Sequence, residues 1–348
     1  MIYAKLFIYI LSFFCKQEIF LHIMNDIEAE NIPPEKTITE IFGSQKVKLY
    51  KIKHFLFDFG GVMAGKSFAF KNFLDCMKQD LKINACIEEE PSFKKTRRRL
   101  SSGRITAREF LDYICEEYYY SCQEKEKEGA LPSKKVNIDY YLELWFELYS
   151  RFIHLSSEME EIVTRLHKAG YVVSLVSNTY DIHAKSNELR GFFKLFDNVF
   201  LSNEIGIIKP DVKKYKYVMK KLDSKPKECI FIDDKLRNLI TAREYGIYVI
   251  KFESIEKFKR QLTALGIPEI TKDLRQEIKN KYKDYEGKKK EYKKAKKELK
   301  KAKKKKKKSF SKKIDYQVKQ VKYKKKKKKY KEGKEVKKKE LIKDFDLT

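Results

Sequence analysis

The sequence predicts an α/β protein: a parallel sheet with helices on both faces. Three observations carry this. Short β-branched or aromatic runs alternate with amphipathic helices from Met159 to Ile250. A polar cluster follows each main run, and ligands of such sheets bind beyond the carboxyl ends of the strands. Residues 66–152 read as helical and separate the first run, His54 to Phe57, from the rest.

In chain order, residues 25–50 are polar, carry Pro33 and Pro34, and read as a lead-in. His54 to Phe57 ends at Asp58 and reads as a buried strand. Phe70, Phe73, Leu74 and Met77 then recur at helical spacing, as do Phe110, Leu111 and Ile114 behind Thr106, a candidate N-cap. Tyr140 to Phe152 is a third helix, strongly aromatic, and Trp145 within it reads as core rather than as a substrate platform. Lys94 to Arg99 and Glu124 to Glu128 read as exposed loops or helix ends. Met159, Ile162, Val163 and Leu166 mark a helix that Gly170 ends. Tyr171 to Val176 and Val199 to Leu201 are strands, and Val212, Tyr215, Val218, Met219 and Leu222 form a helix stripe. Cys229 to Ile232 is a strand, Leu236 to Tyr245 a helix and Ile247 to Ile250 a strand. His154, His167 and His183 show no partner pattern and read as surface or packing residues.

Four clusters sit at the strand ends: Asp58; Ser177-Asn178-Thr179; Lys209-Pro210; and Asp233-Asp234. Taken singly, each is a turn, a cap or a solvated helix start. Their joint order suits phosphoryl transfer. A carboxylate can attack phosphorus and carry an aspartyl-phosphate. Its charge must approach a negative phosphate, so a divalent cation on oxygen ligands is needed. A hydroxyl and amides can grip the phosphoryl oxygens, and a lysine supplies a point charge.

The stretches FDFGGV, VSNT, GIIKPD and FIDDKLRNLITAREYGI resemble the haloacid dehalogenase superfamily of hydrolases, including its phosphatases, over about residues 53–252. They are most similar to the branch carrying D-x-G-G-V and I-D-D-x-x-x-N. The resemblance implies a Rossmann-like core, residues 51–65 and 153–270, with a helical cap inserted at 66–152. It implies that Asp58 is the nucleophile and a Mg²⁺ ligand, with the Gly60 carbonyl and Asp234 as further ligands. Ser177 and Asn178 would bind the phosphoryl group, Lys209 would neutralise charge, and Asp233 would orient Lys209 or a metal-bound water. The implied function is a Mg²⁺-dependent phosphatase of a small phosphorylated substrate. One position departs from the pattern. Phosphatases of the family carry a second Asp two residues after the nucleophile as general acid, and Gly60 stands there. General-acid catalysis is worth roughly 10² to 10⁴ in rate, so a catalytically weak binding module of the same fold is the alternative.

A competing pattern overlaps the first cluster. Gly60 to Ser67, GGVMAGKS, fits the phosphate-loop signature G-x-x-x-x-G-K-[ST]. That reading gives Asp58 no role and leaves Ser177 to Thr179 and Lys209-Pro210 unexplained, so it ranks below the hydrolase reading.

The charge is unevenly spread. The chain of 348 residues carries +29, of which residues 271–348 hold +24. This tail is low in complexity, with unbroken runs at Lys303–Lys308 and Lys324–Lys329, blocks that self-repel and stay mostly disordered. Leu274 to Leu299 mixes Glu with Lys and could be a solvated helix. Interleaved tyrosines, Tyr282, Tyr285, Tyr292, Tyr316, Tyr323 and Tyr330, suit stacking on exposed bases. The tail therefore either contacts nucleic acid or anionic membrane without sequence preference, or is a solubilising appendage. Six cysteines without a C-x-x-C pair read as reduced thiols of a cytoplasmic protein. Residues 1–50 form an extension in which Leu6 to Cys15 is apolar. With no small-x-small cleavage site behind it, residues 1–23 are either a dispensable extension or an uncleaved anchor, which leaves membrane attachment or export open beside a cytoplasmic location.

Overall fold

The computed structural model describes residues 45–66, 68–83, 86–121, 135–267, 272–305, 310–336 and 343–345. The apolar run Leu6 to Cys15, the segment Glu124 to Glu128, and Ser67 lie outside the described residues.

Six strands precede the C-terminal helices: β1 (Gln45–Val47), β2 (His54–Phe57), β3 (Val172–Ser177), β4 (Asn198–Leu201), β5 (Cys229–Asp233) and β6 (Tyr248–Lys251). β2 to β6 form one parallel sheet in the order β4-β3-β2-β5-β6. Every residue of β2 and β5 is buried, as expected of a sheet covered on both faces. From β2 the chain runs outward through β3 to β4, then crosses back to β5 and on to β6. The reversal lies between β2 and β5, where doubly wound sheets open a crevice at their carboxyl ends. Asp58 N donates to Ile232 O at 2.9 Å, which carries the β2–β5 pairing into the first catalytic candidate.

Helices cover the sheet: α5 (Ser157–Lys168), α6 (Asp181–Leu189), the short α7 (Ser202–Ile205), α8 (Val212–Lys221), α9 (Leu236–Glu244) and α10 (Ile255–Ala264). Ser156, Asp211 and Ser254 cap α5, α8 and α10 by accepting backbone N–H bonds. Gly170 follows α5 at φ +75°, in the left-handed region that ends helices.

Between β2 and β3 the chain leaves the sheet to build a helical insertion: α1 (Ala69–Leu81), α2 (Pro91–Ser101), α3 (Ala107–Ile114) and α4 (Ile138–Phe152). α3 opens on a capping box in which Thr106 and Glu109 satisfy each other's backbone N–H. α3 runs on as a π-helical turn, Cys115–Tyr120. The insertion has its own core of Phe73, Phe93, Leu100, Phe110 and Leu111 around Trp145, which is fully buried and stacked on Phe73 at 4.8 Å. Of the two alternatives for Lys94 to Arg99, exposed loop or helix end, the structure takes helix: the run lies within α2, exposed except at Thr96, with Arg98 and Arg99 in the last turn. Phe93, Thr96 and Leu100 face inward there at helical spacing, and the basic run between them hides that stripe in the sequence.

The described residues of the lysine-rich segment take the helical alternative. α11 (Lys272–Lys305) and α12 (Phe310–Val336) are helical, and the run Lys324–Lys329 lies inside α12. Tyr292 stacks on Tyr330 with ring centres 4.9 Å apart, and Tyr285 on Tyr330 at 5.7 Å. Tyr285, Tyr292, Tyr323 and Tyr330 thus join the two helices to each other rather than standing free for bases. Their rings pack together because they offer lysine-coated helices large apolar surface to bury. Tyr282 stacks on Tyr50 at 3.8 Å and ties α11 to the sheet domain. A last strand, β7 (Lys343–Phe345), pairs antiparallel with β1. No helix among the described residues is long and apolar enough to cross a membrane.

Candidate active site

Three of the four clusters lie at the carboxyl ends of β2, β3 and β5, and Lys209-Pro210 comes to them from the segment between α7 and α8. Asp58 directly follows β2 and is buried. Its Oδ1 accepts from Phe59 N at 2.7 Å and lies 2.8 Å from Lys209 Nζ. The same Nζ reaches Asp233 Oδ2 at 2.7 Å. Lys209 therefore bridges two carboxylates with its own side chain 1% exposed. Asp233, with no solvent exposure, also accepts from Lys235 N at 2.8 Å and from Asn238 Nδ2 at 3.0 Å. Both its oxygens are taken, so it acts as an anchor for the lysine rather than as an open ligand.

Asn178 does something the sequence did not reveal. Its side-chain amide donates to Lys209 O at 2.9 Å and accepts from Lys209 N at 2.8 Å. A side-chain amide paired both ways with one backbone unit fixes the lysine loop, and the Lys209-Pro210 peptide there is cis. The Asn178 side chain is thus committed to positioning Lys209. Ser177, at the end of β3, is buried beside it.

Asp58, Asp233 and Asp234 each present a carboxylate oxygen, and the three lie within 4.8 Å of one another. Burial raises the pKa of Asp58 to about 6, Lys209 opposing this and Asp233 and Asp234 adding to it. Asp234 is raised by burial and by Asp233. For Lys209, burial alone would favour the neutral amine, but Asp233 and Asp58 outweigh it and raise its pKa, so the ammonium is retained. Three carboxylates close together, with Lys209 between two of them, concentrate negative charge in a largely buried place. Asp234 Oδ1 is buried without a hydrogen-bond partner, an unmet need that a cation fits. The all-oxygen donor set suits a hard divalent ion such as Mg²⁺. Asp58 and Asp234 would hold it. The arrangement makes Gly61 necessary: its φ is +84°, and a Cβ there would sit 2.6 Å from Asp234 Oδ2.

Lys214 lies one turn into α8 and was not singled out in the sequence, where it reads as one of many surface lysines. It is wholly buried, and its Nζ donates to Phe200 O at 3.1 Å and Ser177 O at 3.4 Å. Burial and the nearby Lys209 pull its pKa down to about 7.

The phosphate-loop reading fails on geometry. Such a loop turns its amides toward phosphate oxygens. Here the amides of Val62, Met63 and Ala64 all donate to Phe59 O, and Gly61 N donates to Ala64 O at 2.8 Å. The glycine loop is closed on itself as a turn, and Lys66 is exposed.

A parallel sheet with an aspartate-lined crevice at its switch point and a helical insertion behind the first strand defines a class of hydrolases. Residues 52–246 match the family model described as haloacid dehalogenase-like hydrolase, and the chain belongs to that family. Among known proteins, it is 34% identical over 93 residues to the sesquiterpene phosphatase astK of Aspergillus oryzae, 26% of this chain and 47% of that protein. It is 27% identical over 183 residues to the bifunctional epoxide hydrolase 2 of Rattus norvegicus, 49% of this chain and 31% of that protein. The chain spans less than half the length of these relatives. A crystal structure of a HAD family enzyme from Bacteroides thetaiotaomicron, in complex with magnesium and inorganic phosphate, is 26% identical, with a TM-score of 0.46, covering 60% of this chain and 98% of that one.

Proposed function

We propose that this chain is a Mg²⁺-dependent phosphatase that works through a covalent phosphate on Asp58. The observation that carries the reading is the placement of Lys209 between Asp58 and Asp233, with Asp234 alongside. A nucleophilic carboxylate is useful only if its charge is balanced and its oxygen is aimed. Phe59 N and Lys209 orient the carboxylate through Oδ1. A new bond forms from one carboxylate oxygen of Asp58 to phosphorus, and the bond from phosphorus to the ester oxygen breaks. Water then attacks the same phosphorus, releasing inorganic phosphate and restoring the Asp58 carboxylate. A bound Mg²⁺ would supply charge neutralisation of the phosphoryl oxygens.

Ser177 would hold a phosphoryl oxygen with its hydroxyl, and Asn178 supports the reaction through Lys209. The helical insertion would cover the crevice and select substrates. Gly60 sets a limit on them: with no acid two residues beyond the nucleophile, the leaving oxygen departs unprotonated or takes its proton from water. Substrates with stable leaving groups, such as phosphoanhydrides, acyl phosphates and aryl phosphates, fit this chemistry best.

Phosphate release from p-nitrophenyl phosphate in the presence of Mg²⁺ tests the reading. It should be abolished by chelation and by Asp58→Asn, which keeps the size of the side chain. If the wild-type protein releases nothing from a broad panel of aryl phosphates, acyl phosphates and phosphoanhydrides, the proposal fails and a binding role for the fold takes its place.

A further inference from the structure

We infer that the C-terminal helical hairpin is a binding surface for nucleic acid, contacted through its phosphates without regard to sequence. α11 and α12 pack side by side and turn their tyrosines toward each other. Tyr292 and Tyr323 share a hydroxyl contact at 3.1 Å, as do Tyr285 and Tyr330 at 3.4 Å. Gly333 allows this closeness, since a Cβ there would lie 3.3 Å from the Tyr285 ring. With the aromatic rings inside, the outside is almost entirely lysine. Nine lysines of α11 and eight of α12 are exposed, from Lys281 to Lys301 and from Lys322 to Lys334. Ion pairs such as Lys288–Asp284, at 2.6 Å, and Lys326–Glu291 offset only part of this charge, because acidic residues are few along both helices.

Two helices of like charge held together repel each other, and the repulsion falls when a polyanion lies against them. The shape decides which polyanion. A helix of 34 residues is about 50 Å long at ~1.5 Å per residue. Duplex nucleic acid presents one charge per ~1.7 Å along a comparable line. An anionic membrane fits less well. The charge surrounds the hairpin instead of lying on one side, and interfacial helices need an apolar face. Among the described residues of the hairpin, Val321 is the large apolar side chain left exposed. Tyr285, Tyr292, Tyr323 and Tyr330 are engaged with one another, so stacking by these rings contributes nothing and base preference should be absent.

The basic surface continues onto the sheet domain. At the root of the hairpin a cleft of about 660 Å³ is lined by Lys51, Lys53, Lys225 and Lys227, with Glu228 offsetting Lys53 at 2.9 Å, beside the stacked Tyr50 and Tyr282. These residues lie at the amino ends of β2 and β5. The cleft is therefore on the opposite edge of the sheet from Asp58, and nucleic acid bound there leaves the catalytic crevice open.

The test uses the full chain and fluorescein-labelled 30-mer RNA and DNA duplexes of two unrelated sequences, titrated by anisotropy from 50 to 300 mM salt. The affinities should be alike for both sequences, with log K falling linearly against log salt. Replacing Lys324, Lys325, Lys327 and Lys328 together by Gln should flatten that slope by up to about 3.6, at ~0.9 per phosphate contact on DNA. Gln is as good a helix former as Lys, so circular dichroism should show α12 retained, and phosphate release should match the wild type. Bound duplex should also raise the melting temperature of the wild-type chain more than that of the variant. Absence of binding at 100 mM salt, binding that ignores the four substitutions, or binding confined to phosphatidylserine vesicles would each overturn the inference.

Discussion

Trp145 Nε1 of the insertion donates to His183 Nε2 of the sheet domain at 2.9 Å, and His183 lies flat on Tyr149 with ring centres 3.8 Å apart. This contact ties α4 to α6, and it requires Nε2 to be unprotonated. Burial pulls the His183 pKa down to about 3. Its folded pKa therefore lies below its unfolded value of ~6.5, and the unfolded chain takes up a proton that the folded chain refuses. Stability from this residue is complete above about pH 6.5 and is lost as pH falls toward 3, by up to ~1.4 kcal/mol per pH unit. Urea denaturation between pH 7 and 4 should show a shallower acid loss for His183→Gln than for wild type. Parallel curves would show that His183 does not titrate in this way.

Gly61 offers a second expectation, sharpened by its neighbour. At Gly61 a Cβ would meet Asp234 Oδ2 at 2.6 Å with φ at +84°, whereas at Gly60 nothing lies within 4 Å. Gly61→Ala should cost about 1–3 kcal/mol from backbone strain and should displace the Asp234 carboxylate. Thermal melts give the first effect, and a rise in the Mg²⁺ concentration for half-maximal phosphate release gives the second. Gly60→Ala is the control and should change stability by less than about 1 kcal/mol. Equal effects at both glycines would contradict the geometry.

Much of this fold was legible because the strands carry their own punctuation. Each main run, from His54–Phe57 to Cys229–Ile232, is short, β-branched or aromatic, and followed by a polar cluster, so sheet and crevice could be read together. The roles within the crevice were less legible. The linear reading expects Asn178 to bind phosphate, and nothing in the sequence shows that its side chain pairs with the Lys209 backbone. Lys214 was invisible among neighbouring lysines, since burial of a lysine depends on what packs over α8 rather than on local pattern. In the tail the reading left disorder and a solvated helix side by side, and the described residues are helical. Tyrosines one heptad apart, at 285 and 292 on α11 and at 323 and 330 on α12, give the two helices a seam that the lysine content obscures in the sequence.

Lys209 is the residue whose loss should be felt most widely. It stands between Asp58 and Asp233, both buried. Lys209→Met removes the ammonium that bridges them and leaves two buried carboxylates unpaired, a change that typically costs about 3–5 kcal/mol. Asp58→Asn in the same chain should recover part of that loss, because one uncompensated charge disappears. Chemical denaturation of the two single variants and the double variant gives the coupling. A double variant as unstable as the sum of the singles would mean that Lys209 and Asp58 do not compensate each other in the folded chain.

Gly60 provides the most direct test of the leaving-group argument. Its backbone φ is ordinary and the space around it is open, so an aspartate side chain can be accommodated. Gly60→Asp would place a carboxyl group two residues beyond the nucleophile, where it could protonate a departing oxygen. The gain should depend on the substrate. Aryl phosphates, whose leaving groups are stable as anions, should change little. Alkyl phosphates need a proton at the leaving oxygen, and their kcat/KM should rise, by at most the ~10² to 10⁴ that general-acid catalysis provides. Plotting log kcat/KM against the leaving-group pKa for a series of phosphate esters measures this. The wild-type line should be steep and the variant line flatter. A variant line as steep as the wild type, with folding and Mg²⁺ dependence intact, would show that proton delivery at this position does not limit the reaction.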